Sequence, residues 1–147
     1  MYESLRFIII FTMHINTTLP KKILAWYDNN KRTLPWRVSK KSPKKQYYRL
    51  LSEFMLQQTQ VKTVIPYFNN FTKKIKTLEE LSKSKEKDIL KMWEGLGYYR
   101  RARNLLACSK QLVKNHNMQL PDTLEEIKKL PGIGDYTGNA LLGLVYN

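Results

Sequence analysis

One glutamate in an apolar helical stretch is the residue best placed to do chemistry in this chain. Glu53 lies in the run Ser52–Val61, where apolar residues surround it and side-chain amides follow. Burial raises the pKa of a carboxyl group by disfavouring its charged form, so a carboxyl here could stay protonated near neutral pH and act as a general acid. The alternative is an exposed glutamate paired with Arg49, four residues earlier, for only about 0.3–0.5 kcal/mol. Only the surrounding chain can distinguish these interpretations.

A glycine-rich turn at residues 130–134 is a second candidate, because it joins two short amphipathic helices in a basic chain. Gly132 and Gly134 permit a turn so tight that successive backbone N–H groups, including that of Ile133, point outward at the start of the second helix. Such donors bind phosphate and hold a DNA backbone without reading its bases. The pattern predicts a helix-hairpin-helix, and an ordinary helix connection is the alternative. We expect Asp135 to cap the second helix, although a carboxylate so close to a phosphate would weaken binding.

Two tyrosines follow a Gly-Leu-Gly turn and stand beside several arginines. Tyr98 and Tyr99 come directly before Arg100, Arg101 and Arg103. Aromatic faces beside cations suit a wedge that enters a base stack while the cations hold phosphates. A core position for both tyrosines is equally open at this point.

The elements that must position these residues are helices, because the apolar periodicity is helical throughout and no segment alternates as a strand does. The class is therefore all-α. Pro66 is expected to bend one helix or to mark a boundary inside it, and Thr77 with Glu80 is typical of a capping box. The expected helices are Pro20–Asn29, Tyr47–Gln57, Gln60–Lys74, Thr77–Leu81, Lys85–Trp93, Tyr98–Lys114, Thr123–Lys129 and a last one from about Asp135.

The composition indicates one folded domain with a polyanionic partner. The chain has 147 residues, and its apolar fraction of 42% with 12% aromatics is that of a protein with a core. A net charge of +14 and an isoelectric point of about 9.9 favour nucleic acid. Most basic residues are lysines in a chain rich in Asn and Ile, a bias that AT-rich coding also produces. Charge alone therefore does not separate nucleic-acid binding from solubility.

The single cysteine, Cys108, excludes an internal disulfide and any multi-cysteine metal or iron–sulfur site built from this chain alone. We therefore expect no metal ligands here and a reducing, cytoplasmic setting. The apolar run Leu5–Phe11 is shorter than the roughly 20 residues of a membrane span and lacks the flanks of a signal peptide. Met13 precedes a polar, helix-starting segment, so residues 1–12 are interpreted as an extension from a misassigned start.

Four motifs taken together resemble the adenine DNA glycosylases of the MutY type, members of the helix-hairpin-helix superfamily that includes endonuclease III. They occur in the family's order and spacing, and the resemblance covers about residues 20–147. Residues 1–19 are accordingly an N-terminal extension and residues 20–147 the glycosylase domain. The string from Glu53 to Val61 is specific to the adenine glycosylases, which favours the catalytic interpretation of Glu53. The motifs are Leu34-Pro35-Trp36-Arg37, Ser52–Val61, Gly95–Tyr99 and Leu130–Thr137.

The resemblance implies base excision repair at the bacterial nucleoid, in which adenine mispaired with guanine or 8-oxoguanine is hydrolysed from double-stranded DNA by a monomeric enzyme. It implies that Glu53 is the catalytic acid and that Tyr136 matches a catalytic tyrosine near the reacting sugar. The residues implied to line or border the adenine pocket are Trp36, Arg37, Leu56 and Val61. Those implied to contact DNA are Gln58 and Tyr98 in the base stack, and Gly132, Ile133 and Gly134 on the backbone.

Tyr136 stands where endonuclease III-like enzymes carry a lysine that forms a Schiff base with the opened sugar, so the resemblance implies monofunctional base removal. The family's second catalytic Asp, the four cysteines of its [4Fe–4S] cluster and its domain for oxidised guanine would all lie beyond Asn147. We therefore expect an incomplete glycosylase domain that is inactive alone. An inactive DNA-binding fragment and an endonuclease III-like glycosylase of other specificity are the alternatives.

Overall fold

The computed structural model describes residues 18–146, and α-helix is the only regular secondary structure in that range. The chain divides into residues 1–33 and residues 34–147. In the first unit residues 18–30 form helix α1, whose apolar side chains, Trp26 among them, are exposed. The interpretations of Leu5–Phe11 and of a start at Met13 fall outside the described residues.

Seven further helices make up the described part of the second unit, and each lies within about three residues of its expected position. The predicted all-α class is therefore confirmed for residues 18–146. No helix in this range combines the length and apolar character needed to cross a bilayer. The helices are α2 (Lys45–Leu56), α3 (Val61–Lys74), α4 (Leu78–Lys83), α5 (Glu86–Trp93), α6 (Arg100–Asn115), α7 (Leu124–Ile127) and α8 (Asp135–Tyr146).

Helix α2 is central to this unit and packs against α3, α6 and α8. Its apolar residues Leu50, Leu51, Phe54 and Met55 recur at helical spacing and are almost completely buried. Burying one such side chain contributes about 1.5–3 kcal/mol, so these four residues fix the orientation of the helix. Glu53 lies between them and takes its position from their packing.

The capping box predicted at the start of α4 is present, whereas the boundary considered at Pro66 is not. The Thr77 hydroxyl accepts from the Glu80 N–H at 3.1 Å, as the capping box requires, while the Glu80 carboxylate accepts from the N–H of Lys76 at 2.7 Å. Of the two outcomes expected at Pro66, a bend or a boundary, the boundary does not occur, because α3 continues through it. Pro66 lies only six residues into the helix, where the missing N–H removes one hydrogen bond without ending the element.

Candidate active site

Glu53 occupies a half-buried position on α2, between the buried residues Ser52 and Phe54. Burial raises the pKa of the Glu53 carboxyl, and the nearby charge of Arg49 opposes that shift without cancelling it. The alternative of a fully exposed glutamate therefore does not describe Glu53, and burial favours the neutral form of its carboxyl.

A pocket of about 480 Å³ opens beside this carboxyl group. Two elements form it: the C-terminal end of α2 with the residues that follow, and the first turn of α8. The pocket brings together Glu53 and Tyr136, which lie 83 residues apart in the chain. Its lining consists of Glu53, Leu56, Gln57, Gln58, Tyr136 and Thr137.

Three residues expected to line or border the adenine pocket are absent from the lining of the pocket beside Glu53. Trp36 is only 3% exposed, and its ring packs edge-on against Phe68 with the centroids 5.2 Å apart. Arg37 is exposed, in a turn closed by its own N–H donating to the Leu34 carbonyl at 2.9 Å. Val61 is half-buried at the start of α3. None of the three lines the pocket beside Glu53.

The two residues expected to enter a base stack share an unusual backbone conformation. Gln58 has a φ of 58° and Tyr98 a φ of 48°, in the left-handed region that non-glycine residues seldom adopt. Both side chains are exposed, Tyr98 by 62%. A core position for Tyr98 is therefore excluded, and exposed residues in strained conformations are common at functional sites.

Arg101 is not part of an exposed arginine cluster, and that expectation is wrong. Its side chain is 5% exposed, whereas Arg100 and Arg103 on the same helix are exposed. The sequence did carry a signal, because Arg101, Leu105 and Cys108 follow one another at the four- and three-residue spacing of a buried helix stripe. The charge of Arg101 favours an exposed position, whereas this spacing favours a buried one.

The hairpin is as tight as its glycines predict, but one of the backbone N–H groups expected to point outward is used inside the turn. Gly132 has a φ of 79°, and a Cβ there would lie 2.8 Å from Phe54 Cε1. The Ile133 side chain is buried, and its N–H donates to the Leu130 carbonyl at 3.2 Å, so this donor is used inside the turn. Around Gly134 the space is open, which leaves the start of α8 accessible.

Asp135 is the first residue of α8 and does not occupy the predicted cap position. Its carboxylate pairs with the Lys128 ammonium across the hairpin. The carboxylate therefore offsets one cation at the surface where a phosphate backbone would lie. The hairpin is also joined to α2, since the Gln57 side-chain amide donates to the Gly132 carbonyl and to the Thr137 hydroxyl, each at 3.3 Å.

The described residues offer no candidate metal centre. No group of three or more His, Cys, Asp or Glu side chains converges among them. Cys108 is fully buried, and this burial raises the pKa of its thiol to about 12, which disfavours the thiolate that metals bind. One buried thiol does not fit a [4Fe–4S] cluster, which needs four cysteine ligands. A larger cavity of about 670 Å³, with Lys40, Lys44, Lys45 and Lys76 in its lining, contains none of the candidate catalytic residues.

Residues 51–140 match the HhH-GPD family, described as a superfamily of base excision DNA repair proteins. A curated adenine DNA glycosylase of Buchnera aphidicola subsp. Baizongia pistaciae is 48% identical over 126 residues, which are 85% of this chain and 35% of that protein. An adenine DNA glycosylase of Rattus norvegicus is 37% identical over 136 residues, 89% of this chain and 26% of that protein. The chain thus spans about a third or less of the length of these relatives.

Solved structures share the fold. A thermostable thymine-DNA glycosylase superposes with a TM-score of 0.75 at 25% identity, over 92% of this chain and 61% of that one. A trapped endonuclease III–DNA covalent intermediate gives a TM-score of 0.66 at 19% identity, over 86% and 60% respectively, and shows the fold alone. The predicted helix-hairpin-helix glycosylase fold is confirmed.

Proposed function

The chain belongs to the HhH-GPD superfamily of base excision DNA repair proteins, and we propose that within it the protein is an adenine DNA glycosylase. The proposed substrate is adenine mispaired with guanine or 8-oxoguanine in double-stranded DNA. The observation that carries the proposal is the pocket that Glu53 shares with the exposed Tyr136, in which burial raises the pKa of the Glu53 carboxyl. The curated adenine glycosylases cited above support the choice of base.

Glu53 is proposed to protonate the departing base. Adenine is a poor leaving group until it gains a proton, and burial, which raises the pKa of the Glu53 carboxyl, favours the protonated form that can donate one. Donation to N7 lets the bond between the base and the sugar break, while the sugar develops oxocarbenium character and then takes up water. Tyr136 borders the same pocket and is proposed to lie near the reacting sugar.

The base must leave the duplex before it can reach Glu53. Gln58 and Tyr98 are proposed to occupy the base stack, which fits their exposure and their left-handed backbone. Gly132, Ile133 and Gly134 are proposed to hold the DNA backbone, with the open start of α8 at Gly134 as the best donor surface. Leu56 contributes an apolar wall to the pocket, while Trp36, Arg37 and Val61 are proposed to border the bound base from outside that wall.

The test measures single-turnover release of adenine from a duplex that carries adenine opposite guanine or 8-oxoguanine. The protein is used in the form that its native cell produces. Glu53→Gln keeps the shape of the side chain but has no carboxyl proton to donate. Excision should fall by roughly 10²–10⁴-fold, the size of a lost general acid. Glu125→Gln, at an exposed position on α7, is the matched control and should keep the full rate. Near-normal excision by Glu53→Gln would remove Glu53 from the mechanism.

We further propose base removal without a lyase step, because a phenol cannot form a Schiff base as an amine does. Borohydride trapping on abasic DNA should give little covalent complex that depends on position 136. Efficient trapping that Tyr136→Phe abolishes would contradict this assignment.

The 147 residues alone are proposed to bind duplex DNA without releasing adenine. Support for binding comes from the net charge of +14 and from the hairpin. Support for inactivity comes from the resemblance, which puts the second carboxylate beyond Asn147. Adenine release by this chain, abolished by Glu53→Gln, would show that the second carboxylate is dispensable or replaced.

A further inference from the structure

The buried guanidinium of Arg101 lies between two loops that are far apart in the sequence. Toward the end of α2, its Nη1 donates to the Met55 carbonyl at 2.8 Å, to the Phe54 carbonyl at 3.3 Å and to the Thr59 hydroxyl at 3.0 Å, and it also contacts the Gln57 carbonyl. Four acceptors thus share one nitrogen. Together they belong to the last turn of α2 and the loop that carries Gln58.

The second nitrogen of the same guanidinium serves the turn after α5. Nη2 donates to the Leu96 carbonyl at 3.2 Å and to the Gly97 carbonyl at 3.1 Å, directly before Tyr98. The guanidinium carbon also lies 5.5 Å from the centroid of the Tyr98 ring and 5.6 Å from that of Trp93. A cation over an aromatic face at this distance is attracted to it, so Arg101 also contacts the wedge side chain itself.

These contacts satisfy backbone groups that the helices leave without partners. The last carbonyls of an α-helix have no N–H donor within the helix and carry its partial negative charge. Arg101 supplies donors to the Phe54 and Met55 carbonyls at the end of α2 and to two carbonyls after α5. Among the described residues its hydrogen-bond acceptors are neutral oxygens, and no ion pair there involves Arg101.

We propose that Arg101 is a positioning residue that links the loop of Gln58 to the turn of Tyr98, so that both side chains enter the base stack together. This inference rests on the proposed function, in which these two residues do so. One planar guanidinium can reach both segments because its nitrogens point in different directions. A lysine ammonium keeps the charge but has a single nitrogen and serves one segment at a time.

The test measures base unstacking separately from DNA affinity. A duplex carries adenine opposite guanine, with the fluorescent base 2-aminopurine next to that adenine, and its emission rises when neighbouring bases unstack. With the 147-residue chain at saturation, Arg101→Lys should lose most of the fluorescence rise. Its affinity for an unmodified duplex should stay within about twofold, because the phosphate contacts are unchanged.

Two controls separate positioning from stability. Arg103→Lys changes an exposed arginine of the same helix, paired with Glu86 at 2.9 Å, and should keep the full fluorescence rise. Leu105→Ala destabilises α6 from its buried face and should also keep the full rise once the folded protein saturates the DNA. An undiminished rise with folded Arg101→Lys would overturn the proposal.

Hydrogen exchange of the unsubstituted chain tests the link without any variant. If Arg101 joins the two segments, the amides of residues 57–59 and 95–98 should become exchangeable with the same free energy and the same denaturant dependence. Segments that open independently would overturn the link. If both segments open together but the unsubstituted chain causes no unstacking, the proposed entry of Gln58 and Tyr98 into DNA fails while the link stands.

Discussion

The last turn of α2 has an ionisable group on each of its two sides, and the two groups differ in their surroundings. On one side Glu53 lines an open pocket, and the charge of Arg49 only partly offsets the effect of burial on its carboxyl. On the other side the Phe54 and Met55 carbonyls, from the next two residues, accept from the buried guanidinium of Arg101. Burial disfavours the charged form of both groups, raising the pKa of Glu53 and lowering that of Arg101.

The difference lies in how each group can respond to burial. A guanidinium remains charged even when its pKa is lowered, so the structure has to surround Arg101 with acceptors, and these lock the backbone. A carboxyl can instead take up a proton, so half-burial of Glu53 costs less than burial of a fixed charge. The proposed acid thereby lies on a backbone that the hydrogen bonds of Arg101 hold in place.

The largest expected effect comes from removing the Arg101 guanidinium, which donates hydrogen bonds to this turn. Arg101→Leu keeps apolar volume but leaves several buried carbonyls without donors, each costing about 1–3 kcal/mol. We expect the free energy of unfolding, measured in urea, to fall by about 3 kcal/mol or more. Arg103→Leu, which removes an exposed ion pair, should change it by no more than about 1 kcal/mol. Equal losses in the two variants would mean that the Arg101 hydrogen bonds contribute no more than a surface pair.

A pair of glycine variants tests whether the hairpin shares the rigidity of that turn. Gly97→Ala places a side chain at φ 73° in open space and should cost about 1 kcal/mol of backbone strain. Gly132→Ala has a similar φ but would also meet Phe54 and Asn104, so we expect a further cost of about 1–2 kcal/mol. Urea unfolding of both variants measures the difference. No difference would show that the hairpin moves away from α2 easily.

The pH dependence of stability tests the Glu53 side of this turn. A carboxyl whose pKa is raised on folding binds its proton more tightly in the folded state, so stability falls as pH rises from the ordinary value of 4.5 through the raised one. Glu53→Gln removes this penalty. The variant should therefore equal the unsubstituted chain in acid and exceed it in unfolding free energy at neutral pH. A stability difference that does not change with pH would contradict the raised pKa.

The smallest expected effect concerns the acid at the start of α8. Asp135→Asn removes a negative charge beside the hairpin and releases the Lys128 ammonium from its ion pair. Duplex affinity at low salt should rise on the order of twofold, and the salt dependence should steepen by about one phosphate contact. Asp122→Asn, an exposed acid before α7, is the control. Weaker binding by Asp135→Asn would indicate that Asp135 holds the hairpin in its binding shape.

Most of the helices could be predicted from the sequence because their signals are local. Thr77 with Glu80 marks a helix start wherever the chain folds, and Gly132 with Gly134 permits a tight turn on conformational grounds alone. The surroundings of Trp36 could not be predicted from local signals, because nothing in its motif reveals that its ring packs against Phe68. Whether an aromatic residue faces the core or a pocket depends on partners that are distant in sequence.

The sequence by itself determined the family and the helical class, because the order of four motifs and the helical spacing of apolar residues can be read directly from it. It also predicted Glu53 as the acid. Only the tertiary structure decided which of the charged residues would be buried. Arg101 lies among arginines that look alike in sequence, and its buried position follows from carbonyls at the end of α2 and in the turn after α5. Unsatisfied backbone groups arise only once the helices have ended and packed, so the residue that serves them is recognised only in the folded chain.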